Sequence, residues 1–144
     1  MNFKRILVAV DDTSIAAHAA DVGIGLAKLL GVDLAFFHAI DTATQGSGEG
    51  IPADELAKMA ERDGRELLDA FRQRAGTTPQ ALGFLEFGKP ATKILEGAKN
   101  WSADIIVIGS HGRGRVGSLL LGSVAEGVLR HASCPVLIVR AANS

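Results

Sequence analysis

One cysteine, Cys134, stands in a chain of 144 residues, so no intrachain disulfide can form. A lone Cys in an apolar stretch reads as a packing residue rather than a nucleophile. Neither sign of charge is in excess: 15 basic and 16 acidic residues give a formal net charge of −1. That balance removes the electrostatic reason to expect nucleic acid or an anionic membrane as partner. Arg113 and Arg115 form the only local basic cluster. No apolar run approaches the ~20 residues that a spanning helix needs. The opening MNFKRILVAVDD lacks a signal-peptide pattern, because its short apolar run ends in two acids. A cytoplasmic location is the expectation. His18, His38 and His131 are scattered and form no metal-ligand spacing with Cys or carboxylates. Paired general acid and base candidates are absent as well.

What is present fits one compact domain over residues 1–144. The hydrophobic fraction is 47% and there are 17 glycines, too apolar and too weakly charged for disorder. Short β-branched and apolar runs alternate with longer segments of helical period. Strands are expected at Ile6 to Val10, Val32 to Ile40, Gln80 to Phe87, Ile105 to Ile108 and Pro135 to Val139. Helices are expected from Ser14 to Leu30, from about Ala53 to Ala75, from Pro90 to about Trp101, and from about Ser123 to Ala132. Gly31 marks the first helix stop. Gly64 weakens the second helix. Residues 41–50 read as a loop. Strict alternation of strand and helix implies an α/β fold, a parallel sheet covered by helices on both faces. Strands apolar throughout agree with burial on both sides. In such sheets ligands bind beyond the carboxyl ends of the strands, at the switch point of strand order.

The informative segment follows the fourth strand. Residues 109–123 hold five glycines: Gly109, Gly112, Gly114, Gly117 and Gly122. Such a density costs chain entropy and serves tight turns or close backbone approach to a ligand. Its far end opens a helix. Ser123 and Glu126 have capping-box spacing, which makes Ser123 the expected N-cap. Free N–H groups and the positive dipole end of a helix N-terminus favour phosphate. Gly112, Gly114 and Gly117 also satisfy G-x-G-x-x-G, but after the fourth strand rather than the first, and no acid follows the last strand, so a dinucleotide fingerprint does not apply. Part of the P-loop spacing is present, without its Lys. Asp11, directly after the first strand, can accept from a ribose hydroxyl or an adenine amino group. It can equally serve helix entry with Asp12, Thr13 and Ser14.

Gly109-x-x-Gly112, nine residues, then Gly122-Ser123 resembles the ATP-binding signature of the universal stress protein family. The resemblance continues through Val124-Ala125-Glu126 and from His131 to Val139, and includes the opening Ile6 to Asp11 and His38-Ala39-Ile40-Asp41. It implies a Rossmann-like, five-stranded parallel sheet of order 3-2-1-4-5 and, commonly, a homodimer that pairs the last strands antiparallel. By resemblance, Asp11 contacts adenosine and the backbone of Ala39 meets the adenine. Gly109, Ser110, His111, Gly112 and Arg113 form the turn approaching ribose and phosphates. Gly122, Ser123 and Val124 form the phosphate-binding helix start. Asp12 departs from the family, which often has Gly there, and adds negative charge near the nucleotide entrance. The implied ligand is ATP, or ADP or AMP, with or without Mg2+. The expected function is a nucleotide-binding regulatory module. A slow ATPase and a nucleotide-free interaction module are the alternatives.

Overall fold

In a computed structural model of the chain, the structure describes residues 2–42, 50–76, 81–112 and 121–141. Among the described residues, nine elements alternate in chain order: β1 (Arg5–Ala9), α1 (Ser14–Leu30), β2 (Asp33–Ile40), α2 (Ala53–Ala75), β3 (Leu82–Phe87), α3 (Pro90–Trp101), β4 (Ile105–Gly109), α4 (Ser123–His131) and β5 (Val136–Val139). The strands form one sheet of order β3-β2-β1-β4-β5, and every neighbouring pair is parallel. This is the expected α/β fold and the expected strand order.

Side chains of a strand alternate between the two faces of its sheet, and both faces here are apolar. Ile6 and Val8 of β1 and Leu34 and Phe36 of β2 pack with Ala19, Ile24, Leu68 and Phe71 of α1 and α2. Leu7, Ala35 and Phe37 pack instead with Ile94 and Ala98 of α3 and Ala125 and Val128 of α4. Phe36 and Phe37, adjacent in sequence, are thereby buried on opposite faces. Phe36 also stacks on Phe71, with ring centroids 5.5 Å apart. Loss of either phenyl ring would cost about 3–5 kcal/mol. Near-continuous apolar strands are therefore a requirement of the two-sided core.

Two boundaries differ from the sequence expectation in ways that bear on the site. β1 ends at Ala9, not Val10, because the chain turns out of the sheet there toward α1. Thr13 caps α1, accepting from Ala16 N at 3.2 Å. Gly122, not Ser123, is the N-cap of α4, and no side chain caps that helix. Helix geometry begins at Ser123 itself, so Glu126 lies one residue too far along for a capping box. Glu126 pairs instead with Arg130, one turn on, at 3.0 Å. The expected start of strand 3 at Gln80 lies outside the described residues.

Among the described residues, no helix is long and apolar enough to cross a membrane.

Candidate functional site

A cleft of about 870 Å³ opens at the carboxyl ends of β1, β2 and β4. It lies where the strand order reverses, since β1 is followed along the chain by β2 on one side and flanked by β4 on the other. Helices far apart in sequence line it from the two faces of the sheet. The first turn of α4 contributes Ser123, Val124 and Ala125, and α2 contributes Ala60, Asp63 and Gly64.

Asp11 stands one residue after the last β1 rung, where the chain has left the sheet but α1 has not begun. Its carboxylate is oriented from behind: Oδ1 accepts from Thr13 N at 3.0 Å and from the Thr13 hydroxyl at 2.5 Å. Thr13 thus fixes Asp11 with the same residue that caps α1. Asp11 is half-buried and lines the cleft. Gly112 faces it across the gap between β1 and β4. A Cβ built on Gly112 would stand 2.8 Å from Asp11 Oδ2, inside the normal contact distance.

The end of β4 and the start of α4 are tied together. Ser110 N donates to Val139 O at 2.8 Å, and Ser110 O accepts from Gly122 N at 2.6 Å. A Cβ on Gly122 would meet His111 Cα at 3.3 Å and Ser110 O at 3.4 Å. These are backbone atoms with little freedom to move. Gly122 therefore brings the α4 N-terminus against the Ser110–His111 backbone. The N–H groups of the first helical turn have no partner within the helix, and this turn lines the cleft.

Of the residues singled out in the sequence, Asp11, Ala39, Gly109, His111, Gly112, Ser123 and Val124 line the cleft. Ser110 is 3% exposed and lies behind the wall, its hydroxyl 3.1 Å from His111 Nδ1. Gly122 supports the wall from the same side. Arg113 lies outside the described residues. Sequence reasoning missed the apolar floor, Phe37, Pro90, Ile94 and Ile108. The apolar identity of Phe37, Ile94 and Ile108 signalled only core, and Pro90 only a helix start. It also missed Asp63, a surface residue of an amphipathic helix until α2 is placed over the strand ends.

Cys134 packs among the apolar residues of the α3/α4 face. Burial is the main cause that pushes its thiol above the ordinary range, and the Asp104 charge adds to it. A thiol held protonated is a poor nucleophile, as expected for a packing residue. Among the described residues, no group of three His, Cys, Asp or Glu side chains is placed to hold a metal ion.

The model of the universal stress protein family matches residues 2–140. The chain belongs to the universal stress protein family. A relative from Thermus aquaticus, the universal stress protein in QAH/OAS sulfhydrylase 3'region, is 38% identical over 138 residues, covering 96% of this chain and 99% of the relative. Among solved structures, that of hypothetical protein MJ0577 superposes with a TM-score of 0.88 at 26% identity over the full length of both chains. A universal stress protein from Archaeoglobus fulgidus, solved in complex with dAMP, superposes with a TM-score of 0.63 at 25% identity, covering 96% of this chain and 99% of that one.

Proposed function

We propose that this universal stress protein binds an adenine nucleotide, ATP or its shorter relatives ADP and AMP, at the carboxyl ends of β1, β2 and β4. One observation carries the reading. The Asp11 carboxylate and the first turn of α4 open onto the same cleft from opposite sides of Gly112. A carboxylate accepts from hydroxyl and amino groups, which suits the nucleoside end of the ligand. A helix N-terminus suits the phosphates. The apolar floor between them, with Phe37, Pro90 and Ile94, suits a planar base. Asp11, Ala39, Gly109, His111, Gly112, Ser123 and Val124 are the residues assigned to the ligand, with Ser110 and Gly122 supporting the turn. The dAMP complex of the Archaeoglobus relative supports the same ligand class.

The site is read as a binding site, not a turnover site. His111 is buried, and its Nδ1 is engaged with the Ser110 hydroxyl, which leaves it poorly placed as a proton shuttle. The protein then acts by being in a nucleotide-bound or nucleotide-free form, as a regulatory module in the cytoplasm. Mg2+ would enter with the phosphates. Mass spectrometry of small molecules released on denaturing the purified protein tests the reading. An adenine nucleotide near stoichiometric amount is the expected result.

The same reading includes a homodimer. β5 is a sheet edge, and Val136, Leu137 and Ile138 are only half-buried. Leu129 of α4 is 48% exposed. Antiparallel pairing of β5 with its copy would cover this edge.

A further inference from the structure

The β1–β2 ladder stops at Val10, and the imidazole of His38 stands at the place of the next rung. Its last rung runs from Val10 N to Phe37 O, 2.9 Å. In a parallel ladder the next rung would run from Ala39 N to Val10 O, given the register Ala9↔Phe37. Val10 O instead accepts from the imidazole of His38, with Nδ1 at 2.8 Å. A backbone carbonyl only accepts, so Nδ1 carries the proton.

On its other edge β2 continues normally, and Ile40 O accepts from Gly88 N at 2.9 Å. Successive residues of a central strand turn their backbone groups to opposite edges. Ile40 faces β3, so Ala39 presents its N–H and C=O on the β1 side, beyond the point where β1 has left. Ala39 is half-buried and lines the cleft.

The ring is held where it is. α2 crosses β2 at Gly64, where a Cβ would stand 3.3 Å from His38 Cδ2 and 2.8 Å from Leu85 Cδ1. A glycine in mid-helix costs about 1 kcal/mol against alanine, and here it makes room for the imidazole under the helix.

We infer that His38 is a positioning residue: its Nδ1–H takes the Val10 carbonyl in place of the Ala39 amide, which keeps the Ala39 backbone edge open to read the base. The inference rests on the adenine-nucleotide reading above. An N–H beside a C=O matches an edge that offers an acceptor beside a donor. Adenine offers N1 and its 6-amino group in that way, whereas guanine reverses the two with N1–H and O6. A site built on such hydrogen bonds rejects a ligand that leaves them unpaired. His38, which also lines the cleft, therefore sets the preference for adenine through the Ala39 backbone. Its bond to Val10 also anchors the peptide that leads into Asp11.

Three variants and two readouts test this. In His38→Asn the side-chain amide nitrogen reproduces the position of Nδ1; in His38→Gln it does not, and in His38→Leu no donor remains. Titration calorimetry with ATP and GTP should place His38→Asn within about threefold of wild type. His38→Gln and His38→Leu should bind ATP at least ~10-fold more weakly, a change of 1.4 kcal/mol, with a smaller ATP-to-GTP ratio. In nucleotide-free, 15N-labelled protein, the Ala39 amide should exchange at least ~10-fold more slowly in His38→Leu, because it then closes the missing rung to Val10 O. If His38→Leu does not fold, the Asn–Gln comparison decides alone. Equal ATP affinity and an equal ATP-to-GTP ratio in His38→Gln and wild type would overturn the inference while leaving the nucleotide site intact. Failure of wild type to bind any nucleotide would remove the reading on which it rests.

Discussion

Gly112 stands against the carboxylate of Asp11, so closely that a methyl group on Gly112 would lie 2.8 Å from Oδ2. Residues 101 positions apart in sequence thus share one wall of the cleft. Gly112 is not among the glycines of positive φ, and alanine fits its backbone without strain. Gly112→Ala should therefore leave the melting temperature nearly unchanged while displacing the carboxylate. Affinity for adenosine and for ATP should fall by the same factor, on the order of 10-fold, the size of one charge-assisted hydrogen bond. Calorimetry with both ligands checks this.

Thr13 joins helix capping to the site. Its Oγ1 accepts from Ala16 N and donates to Asp11 Oδ1. Thr13→Ala should cost about 1 kcal/mol of stability, near 3 °C in melting temperature for a domain of this size. It should also weaken adenosine binding, because Asp11 loses the hydroxyl that orients it. Thr13→Ser should restore both. A loss of stability with unchanged adenosine affinity would confine Thr13 to the cap.

Gly122 and Ser123 should separate clearly. Ser123 lies within the helix and caps nothing, so Ser123→Ala should shift stability by less than about 0.5 kcal/mol. It should weaken ATP slightly and adenosine not at all. Gly122→Val places a branched side chain against the backbone of Ser110 and His111. ATP affinity should be lost, and the melting temperature should fall as well, since neither backbone segment can yield freely. Thermal melts together with calorimetry distinguish the two substitutions.

Much of this was legible in the chain itself. Buried parallel strands must be apolar on both faces, so runs such as Ile105 to Ile108 announce themselves, and the helical spacing of Leu67 and Phe71 is forced by one-sided packing. Of the glycines after β4, Gly109 and Gly112 line the cleft, while Gly114 and Gly117 lie outside the described residues. Ser123 was misplaced as a cap because the cap position depends on backbone angles at Gly122, −71° and 162°, which no residue spacing encodes. His38 read as one scattered histidine. Its bond to Val10 becomes visible only when the register of two strands is known. Gly64 read as a weak point in a helix, and only the crossing of α2 over His38 and Leu85 explains it.

Pairing through the β5 edge fixes the mass in solution. Light scattering behind size exclusion should give twice 15.0 kDa. A charge placed on the edge, as in Leu137→Lys, should shift the protein toward monomer, because an unpaired cation would face its own copy. A wild-type monomer at micromolar concentration would contradict pairing through β5.

The most direct test of the account is titration of nucleotide-stripped protein with ATP, ADP and adenosine, comparing wild type with Asp11→Ala. All three ligands should bind wild type, with ATP tightest, and Asp11→Ala should weaken all three by a similar factor, because Asp11 acts on the part they share. Saturable binding of none of the three to folded wild-type protein would contradict the account.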